Sequence, residues 1–399
     1  MQRLTRQILA ATFFKLLLNI GRRFVYPFAP ALSRGLDVPL TAITSIIAVS
    51  QISSLAGLFS GPLADRMGYR LMMQMGLGLL AVGMLICGLV PVYWAVFFGL
   101  VLASFGKILY DPAIQAYIGQ AVPYQKRGRV IGILEISWAG STLAGIPLLG
   151  MVIEYMGLEN GFLLLALLGF ISLAALSRIF PSDRRDKEAR RPGELLRSLS
   201  QLVRIRPAAG MLAFGFWISL ANDNLFVVYG AWFENDFNVS LISLGLSTIA
   251  IGSAELAGEF LTTAFADRIG LKRAIVCGLV LAVIAYLLLP LMGTGLVLAM
   301  VGIFLVFCTF EFTMVTSFSL STELLPHSRA TMMAGFYAAS GLGRMVGVLT
   351  GGFVWKSGGI AAVAWLSAAL TVLGLLSLLW GLRGWSVNGT SENRAGDGL

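Results

Sequence analysis

Eleven ionisable side chains stand inside long apolar runs of this chain: the acids Asp111, Glu135, Asp223, Glu255, Glu259 and Glu311, and the bases Lys15, Arg22, Arg23, Lys107 and Arg344. A charge in hydrocarbon is costly, so such residues mark ion or substrate pathways, proton relays or neutralised pairs. A carboxyl group removed from water favours its neutral form, and can load and release a proton as its access to water alternates. The proton-coupling candidates are Asp223, Glu311 and Glu255, followed by Asp111 and Glu135. Asp223 lies within Asn222-Asp223-Asn224, with Tyr229 nearby, and three consecutive polar residues cannot share one helix face. The pattern predicts a broken helix beside a cavity. Arg22 and Arg23 precede Tyr26-Pro27-Phe28-Ala29-Pro30; one arginine is expected to face the pathway and could meet an anionic substrate group, the other to pack between helices. Candidate substrate-binding residues are Arg22, Tyr26, Lys107, Asn222, Asn224, Trp138, Trp217 and Arg344, with Phe312 and Tyr337 as further candidate ring walls. Glu259, one turn beyond Glu255, reads as a gating residue. The single histidine, His327, and three cysteines (Cys87, Cys277, Cys308) without CxxC spacing predict no metal site and no disulfide framework.

The elements that must position these charges are membrane helices. The chain has 399 residues, 57% hydrophobic and 12% charged. An ordinary soluble domain is about 45–50% apolar and about 25% charged. The balance excludes an ordinary soluble protein, a disordered chain and a nucleic-acid binder. A spanning helix needs roughly 20 mainly apolar residues. Twelve segments meet that need: 8–32, 41–63, 71–91, 94–120, 130–153, 160–177, 209–232, 241–265, 274–293, 296–322, 330–355 and 359–382. The first is not a signal peptide, because it is long and carries Lys15, Arg22 and Arg23. With the N-terminus inside, one set of loops and edges holds 22 of the 29 Lys and Arg, and the opposite set holds only Arg34 and Lys356. The net charge of +9 is therefore mainly a topology signal that places both termini in the cytoplasm. Depths counted along each segment at about 1.5 Å per residue pair Lys15 with Glu135 and Asp223 with Arg344, and Lys107 with Asp111 at i,i+4.

The longest polar connection, 181–207, divides the chain. The expected units are 1–180, a cytoplasmic linker at 181–207, 208–382 and a cytoplasmic tail at 383–399. Within the linker, Glu194 to Ile205 has the pattern of a surface helix. Ala64-Asp65-Arg66-Met67-Gly68 recurs 202 residues later as Ala266-Asp267-Arg268-Ile269-Gly270, and Arg70 is matched by Lys272-Arg273. Pro123, Gly132 and Gly140 recur at a shift of 203 as Pro326, Gly335 and Gly343. A parallel repeat of this kind is the organisation of many secondary transporters. Glycines at 140, 145 and 150 and at 343, 347, 351 and 352 put small faces on the fifth and eleventh segments. Those faces are expected either to pack closely or to rock against the eighth and second.

SGPLADRMGYR at 60–70 resembles the signature loop of the major facilitator superfamily, G-x-L-a-D-r-x-G-r-k, and TTAFADRIGLKR at 262–273 resembles its degenerate second copy. Pro112 through Arg127-Gly128-Arg129 looks like that family's fourth span and following loop. Gly145-Ile146-Pro147-Leu148-Leu149-Gly150 resembles its fifth-span antiporter motif with the proline displaced by one residue. An arginine expected twelve residues before Pro112 is Leu100 here. The resemblance implies an all-α integral membrane fold, twelve transmembrane helices in two pseudo-symmetric six-helix bundles around a central cavity. It also implies a gating role for Gly61, Asp65, Arg66, Gly68 and Arg70, with Asp267 and Arg268 in the second copy. The charged segments fall among those that line the cavity in the resembled fold.

The expectation is a multi-pass secondary transporter of the inner (plasma) membrane, working by alternating access and not an enzyme. It moves a small organic solute, with proton-coupled efflux favoured over a proton-coupled symporter importing an anionic metabolite or a lipid or lysolipid translocator. The expected driving force is the proton gradient, with no cofactor. The sequence lacks a phosphate-binding loop of the type G, four residues, G, K, then S or T. Expected partners are the substrate, protons and membrane lipids, in a monomer.

Overall fold

The computed structural model describes residues 2–122, 124–181, 202–325 and 329–384. Among the described residues there is no strand. A chain in hydrocarbon must pair its backbone polar groups within each segment, and a helix does so. The first set of helices is α1 (Gln2–Arg23), α2 (Ala29–Gly35), α3 (Leu40–Met67), α4 (Tyr69–Leu89), α5 (Tyr93–Ala121), α6 (Tyr124–Gly140), α7 (Ile146–Met156) and α8 (Leu158–Ile179). The second set is α9 (Arg206–Phe226), α10 (Tyr229–Phe237), α11 (Leu241–Leu261), α12 (Asp267–Ile269), α13 (Leu271–Met292), α14 (Leu296–Leu324) and α15 (Arg329–Gly381). Five-residue π turns, Ser141–Gly145 and Thr262–Ala266, join α6 to α7 and α11 to α12.

Nine helices among the described residues are long and apolar enough to cross a membrane, or ten if α2 and α3, bent by 119°, form one broken span. Twelve were expected. The difference has local causes. α15 takes up both of the last two expected segments, with non-helical backbone at Gly358 and Gly359 between them. α1 carries five bases along its length, and the first expected segment turns at Phe24–Phe28 before continuing as α2. Pro27 in that turn has no N–H to continue a helix. The expected surface helix at Glu194 to Ile205 falls mostly outside the described residues, as do Pro123, Pro326 and His327.

The repeat extends to the backbone. Positive φ occurs at Asp37, Gly68 and Gly157 in the first set, and at Asn238, Gly270 and Gly359 in the second. Each member of the second group lies 201 or 202 residues after its counterpart. Gly68 (φ 93°, ψ 141°) and Gly270 (φ 89°, ψ 132°) turn the chain in a region where a Cβ is strained, which explains the glycine in both loop motifs. The basic residue after each turn has the same job. Arg70 donates to the Ser177 carbonyl at the end of α8, and Lys272 Nζ donates to the Leu382 carbonyl just past α15. Both cations meet the negative end of a helix dipole.

We call the face where α1 begins the near face and the one where it ends the far face. Among the described residues, the hydrogen bonds and ion pairs joining the two sets run from Arg23–Glu255 at mid-depth to Arg34–Glu234 at the far face, 2.7 Å apart. Thr248 Oγ1 donates to the Thr142 carbonyl, at 2.7 Å, and Leu241 N donates to Glu154 Oε2, at 3.0 Å. Gly150 packs on Gly245 and Gly352 on Thr44. Pro27 and Gly230, 203 residues apart, touch each other across the boundary. Gly352 on Thr44 and Gly150 on Gly245 lie along the expected seams with the second and eighth segments, whereas Gly343, Gly347 and Gly351 face another helix. They seat the first arm of α15 on the backbone of α9 at Phe216, Leu220 and Asn224, inside one set. Close backbone approach of this kind holds helices by van der Waals packing where water supplies no driving force.

A side chain at Gly347 would meet the Leu220 carbonyl, whereas one at Gly295 would meet nothing within 4 Å. Gly347→Val is expected to lower the thermal midpoint of the detergent-solubilised protein by roughly 5 °C, as overpacking does, with Gly295→Ala near wild type. Equal midpoints for the two variants would contradict this packing.

Candidate functional site

Of the intramembrane charges, Arg23 and Glu255 pair directly across the boundary between the two sets, and Arg22 and Asp223 are linked across it through neutral side chains. A directional chain of hydrogen bonds crosses that boundary. Arg22 Nη2 donates to Gln51 Oε1 at 2.6 Å, Gln51 Nε2 to the Tyr26 hydroxyl at 2.7 Å, and that hydroxyl to Asp223 Oδ1 at 2.8 Å. The Tyr26 ring stacks on Phe226 of α9, with centroids 4.2 Å apart. Arg344 of α15 approaches the other carboxylate oxygen, its Nε 3.9 Å from Asp223 Oδ2. A narrow cavity between α1, α3 and α5 runs beside Arg22, Ser50, Gln51 and Ser104.

The expected break at Asn222-Asp223-Asn224 is absent: α9 continues to Phe226 and turns only at Val227–Val228. Asp223 and Asn224 find different neighbours, and Asn222 Oδ1 is buried without a hydrogen bond among the described residues. Asp223 accepts from Tyr26 in the turn after α1, while Asn224 Nδ2 donates to the Val363 carbonyl and to Ser367 Oγ in the second arm of α15, at 3.2 and 3.0 Å. Asn222 is buried beside them.

Arg23 and Glu255 form the second crossing. Both are almost wholly buried, and the Arg23 guanidinium donates through two nitrogens to the two Glu255 oxygens. Trp138 Nε1 and Thr142 Oγ1 each donate to the same carboxylate at 3.1 Å. The guanidinium also lies over the Trp138 ring, 4.1 Å from its centroid. All four hydrogen bonds to Glu255 come from the first set. Thr142 stands in the π turn Ser141–Gly145, and the same residue's carbonyl accepts from Thr248. π turns within α-helices are frequent at functional sites.

Inside the first set, Lys15 Nζ and Glu135 Oε1 are 2.6 Å apart, and Lys107 Nζ and Asp111 Oδ2 are 2.5 Å apart. Lys107 also donates to Asn19 Oδ1 at 2.7 Å, and Asn19 Nδ2 to Ser137 Oγ at 3.2 Å. The pairs expected from depth and spacing, Asp223 with Arg344 included, are therefore in contact. Gln51, Asn19, Thr142 and Ser367 carry no charge and gave no signal in the sequence.

Glu311 and Glu259, both half-buried, differ from the other intramembrane acids. Among the described residues neither makes an ion pair or a side-chain hydrogen bond. The Glu311 stem packs on Gly258 of α11, between Glu255 and Glu259, and the three carboxyl groups are within electrostatic reach of one another. Trp217 instead stands against Gly374 in the second arm of α15. Phe312 packs near Gly278 of α13 and Tyr337 is half-exposed beside Phe318. Arg70 caps α8 and Arg268 is exposed. Gly61 and the side chains of Asp65, Arg66 and Asp267 lie outside those described.

The Major Facilitator Superfamily profile matches residues 11–220 and again 211–396. The chain belongs to that superfamily. It is a membrane transporter and not an enzyme, and the family moves small molecules. It is 23% identical over 323 residues to the uncharacterized MFS-type transporter YceJ of Bacillus subtilis, covering 81% of this chain and 82% of that one. It is 28% identical over 348 residues to the multi-drug resistance efflux pump PmrA homolog of Lactococcus lactis, covering 83% and 84%. Its fold matches that of a bacterial homolog of the human lysosomal transporter Spinster in an inward-facing, unoccupied conformation. The TM-score is 0.72 at 16% identity, covering 94% of this chain and 96% of that one.

The Arg23–Glu255 pair should behave as a unit in this superfamily member. Arg23→Gln or Glu255→Gln alone leaves one buried charge uncompensated and is expected to destabilise by about 3–5 kcal/mol, with the double variant recovering most of the loss. Thermal unfolding of the four proteins measures this; additive losses would mean that the two side chains are not coupled.

Proposed function

We propose that this protein exports a small organic solute across the bacterial inner membrane by proton-coupled alternating access. The proposed architecture is twelve spans in two six-helix halves, α1–α8 and α9–α15, with both termini cytoplasmic. α15 supplies two spans across Gly358–Gly359, and α1 with α2 forms the first. The near face is then the cytoplasmic one, and the cross-set bonds toward the far face correspond to a state closed to the outside. The similarity to a multidrug efflux pump over most of both chains supports export.

The observation that carries proton coupling is Glu311. It is a carboxyl group deep within α14, packed on α11 and without a bonding partner among the described residues. Glu255 has four donors and serves as the latch between halves, while Asp223 is tied to Tyr26. Glu311 and Glu259 are left to exchange protons with whichever side the cavity faces. Loading them removes mutual repulsion with Glu255, and releasing them restores it. Lys15–Glu135 and Lys107–Asp111 are neutral pairs that let the first half carry polar walls without net charge.

The test is transport in proteoliposomes with an imposed pH gradient and a panel of organic solutes. Wild type is expected to drive at least one solute against its gradient. Glu311→Gln should lose that response about tenfold or more while still exchanging solute down its gradient, since general acid-base groups of this kind act only through the proton. Gradient-driven uptake that is unaffected by Glu311→Gln would overturn the assignment.

A further inference from the structure

We propose that the ligand of this transporter carries an oxyanion, a carboxylate or phosphate-type group, which docks on Arg344. The inference rests on the transporter reading and names its substrate class. Arg344 differs from three of the other four intramembrane bases. Lys15, Lys107 and Arg23 each close onto a carboxylate with at least one direct hydrogen bond. Arg344 stops 3.9 Å short of Asp223, and no described residue accepts a hydrogen bond from it. Across that gap Asp223 Oδ2 is buried and receives no hydrogen bond among the described residues. Both partners are therefore under-satisfied, at a depth where a polar group is expensive to leave unmatched.

The reason the gap persists is geometric. Asp223 is fully buried and held by the Tyr26 hydroxyl, while the Arg344 side chain is 27% exposed. A guanidinium offers five N–H donors in a planar fork, which suits a carboxylate or phosphate bidentately. Arg22 is within electrostatic reach of both Arg344 and Asp223. The Lys15–Glu135, Lys107–Asp111 and Arg23–Glu255 pairs each close into a bonded neutral pair, whereas the Asp223–Arg344 pair stays open. Asp223 then acts as a resident competitor that holds Arg344 loosely when no ligand is bound.

The experiment uses the full chain in phosphatidylcholine nanodiscs and four probes on one ring frame: naphthoate, naphthyl phosphate, naphthylmethylammonium and naphthylmethanol. Binding is read as saturable thermal stabilisation. The two anions should bind and the cation and the alcohol should not. Arg344→Gln should abolish anion binding and Arg344→Lys should retain part of it. Asp223→Asn should tighten it by about threefold to tenfold, because the competing carboxylate is gone. That gain is a direction a misfolded variant does not produce. Repeating the titration in phosphatidylglycerol nanodiscs separates two sources of the oxyanion. A lipid headgroup would compete with naphthyl phosphate in an Arg344-dependent way, and a free solute would bind equally in both. Preference for the ammonium probe, or undiminished anion binding by a monodisperse Arg344→Gln, would overturn the inference. Gradient-driven transport of another solute in the same preparation would then show the transport reading intact, and anion binding without gradient-driven transport of either bound anion would show the reverse.

Discussion

Arg23 and Glu255 sit almost wholly out of water, on helices 232 residues apart in sequence, and neither is stable as an ion there without the other. A buried pair of this kind adds little net stability compared with apolar packing, but it admits few alternative arrangements. Much of the interface follows from it. Trp138 is held flat beneath the guanidinium, Thr142 is drawn to the carboxylate from within a π turn, and the end of α1 must reach α11 before the chain bends at Phe24–Phe28. Farther toward the far face, glycines on α7 and α11 let the same two helices close together.

The intramembrane charges divide into those that are satisfied and those that are not. The satisfied ones, Lys15–Glu135, Lys107–Asp111 and Arg23–Glu255, hold helices to one another. The others are Asp223 on α9, Glu259 on α11, Glu311 on α14 and Arg344 on α15, all in the second set; Arg22 on α1 donates through its guanidinium to Gln51. The acids that no base closes onto are thus concentrated on the second set. The repeat in the backbone, visible at Gly68 and Gly270, has been kept while the chemistry of the two copies has diverged.

Much of this was legible in the sequence because a membrane helix turns position into depth. Counting residues from the helix ends was enough to match Lys15 with Glu135 and Asp223 with Arg344. Depth says nothing about which way a side chain points, and for that reason Arg23–Glu255 was missed while Arg22 and Arg23 stayed interchangeable. The unbroken α9 could not be read either. Whether three adjacent polar residues open a helix depends on acceptors such as the Val363 carbonyl, 139 residues away. The glycines of α15 were visible as a small face, but their partner, the α9 backbone, leaves no mark in side-chain pattern. The loop motif itself was evident, and its glycine needed only a turn with positive φ to explain it.

The four donors to Glu255 share one origin. Arg23, Trp138 and Thr142 all belong to the first set, and the acid belongs to the second. A carboxylate anchored from both sides could exchange its partners one at a time as the sets moved. This one cannot: a small separation lengthens every bond together, and a partly parted interface keeps the desolvated charge while losing its compensation. Intermediate positions are therefore the least favourable ones, and the two sets should move between discrete arrangements by a snap rather than a slide.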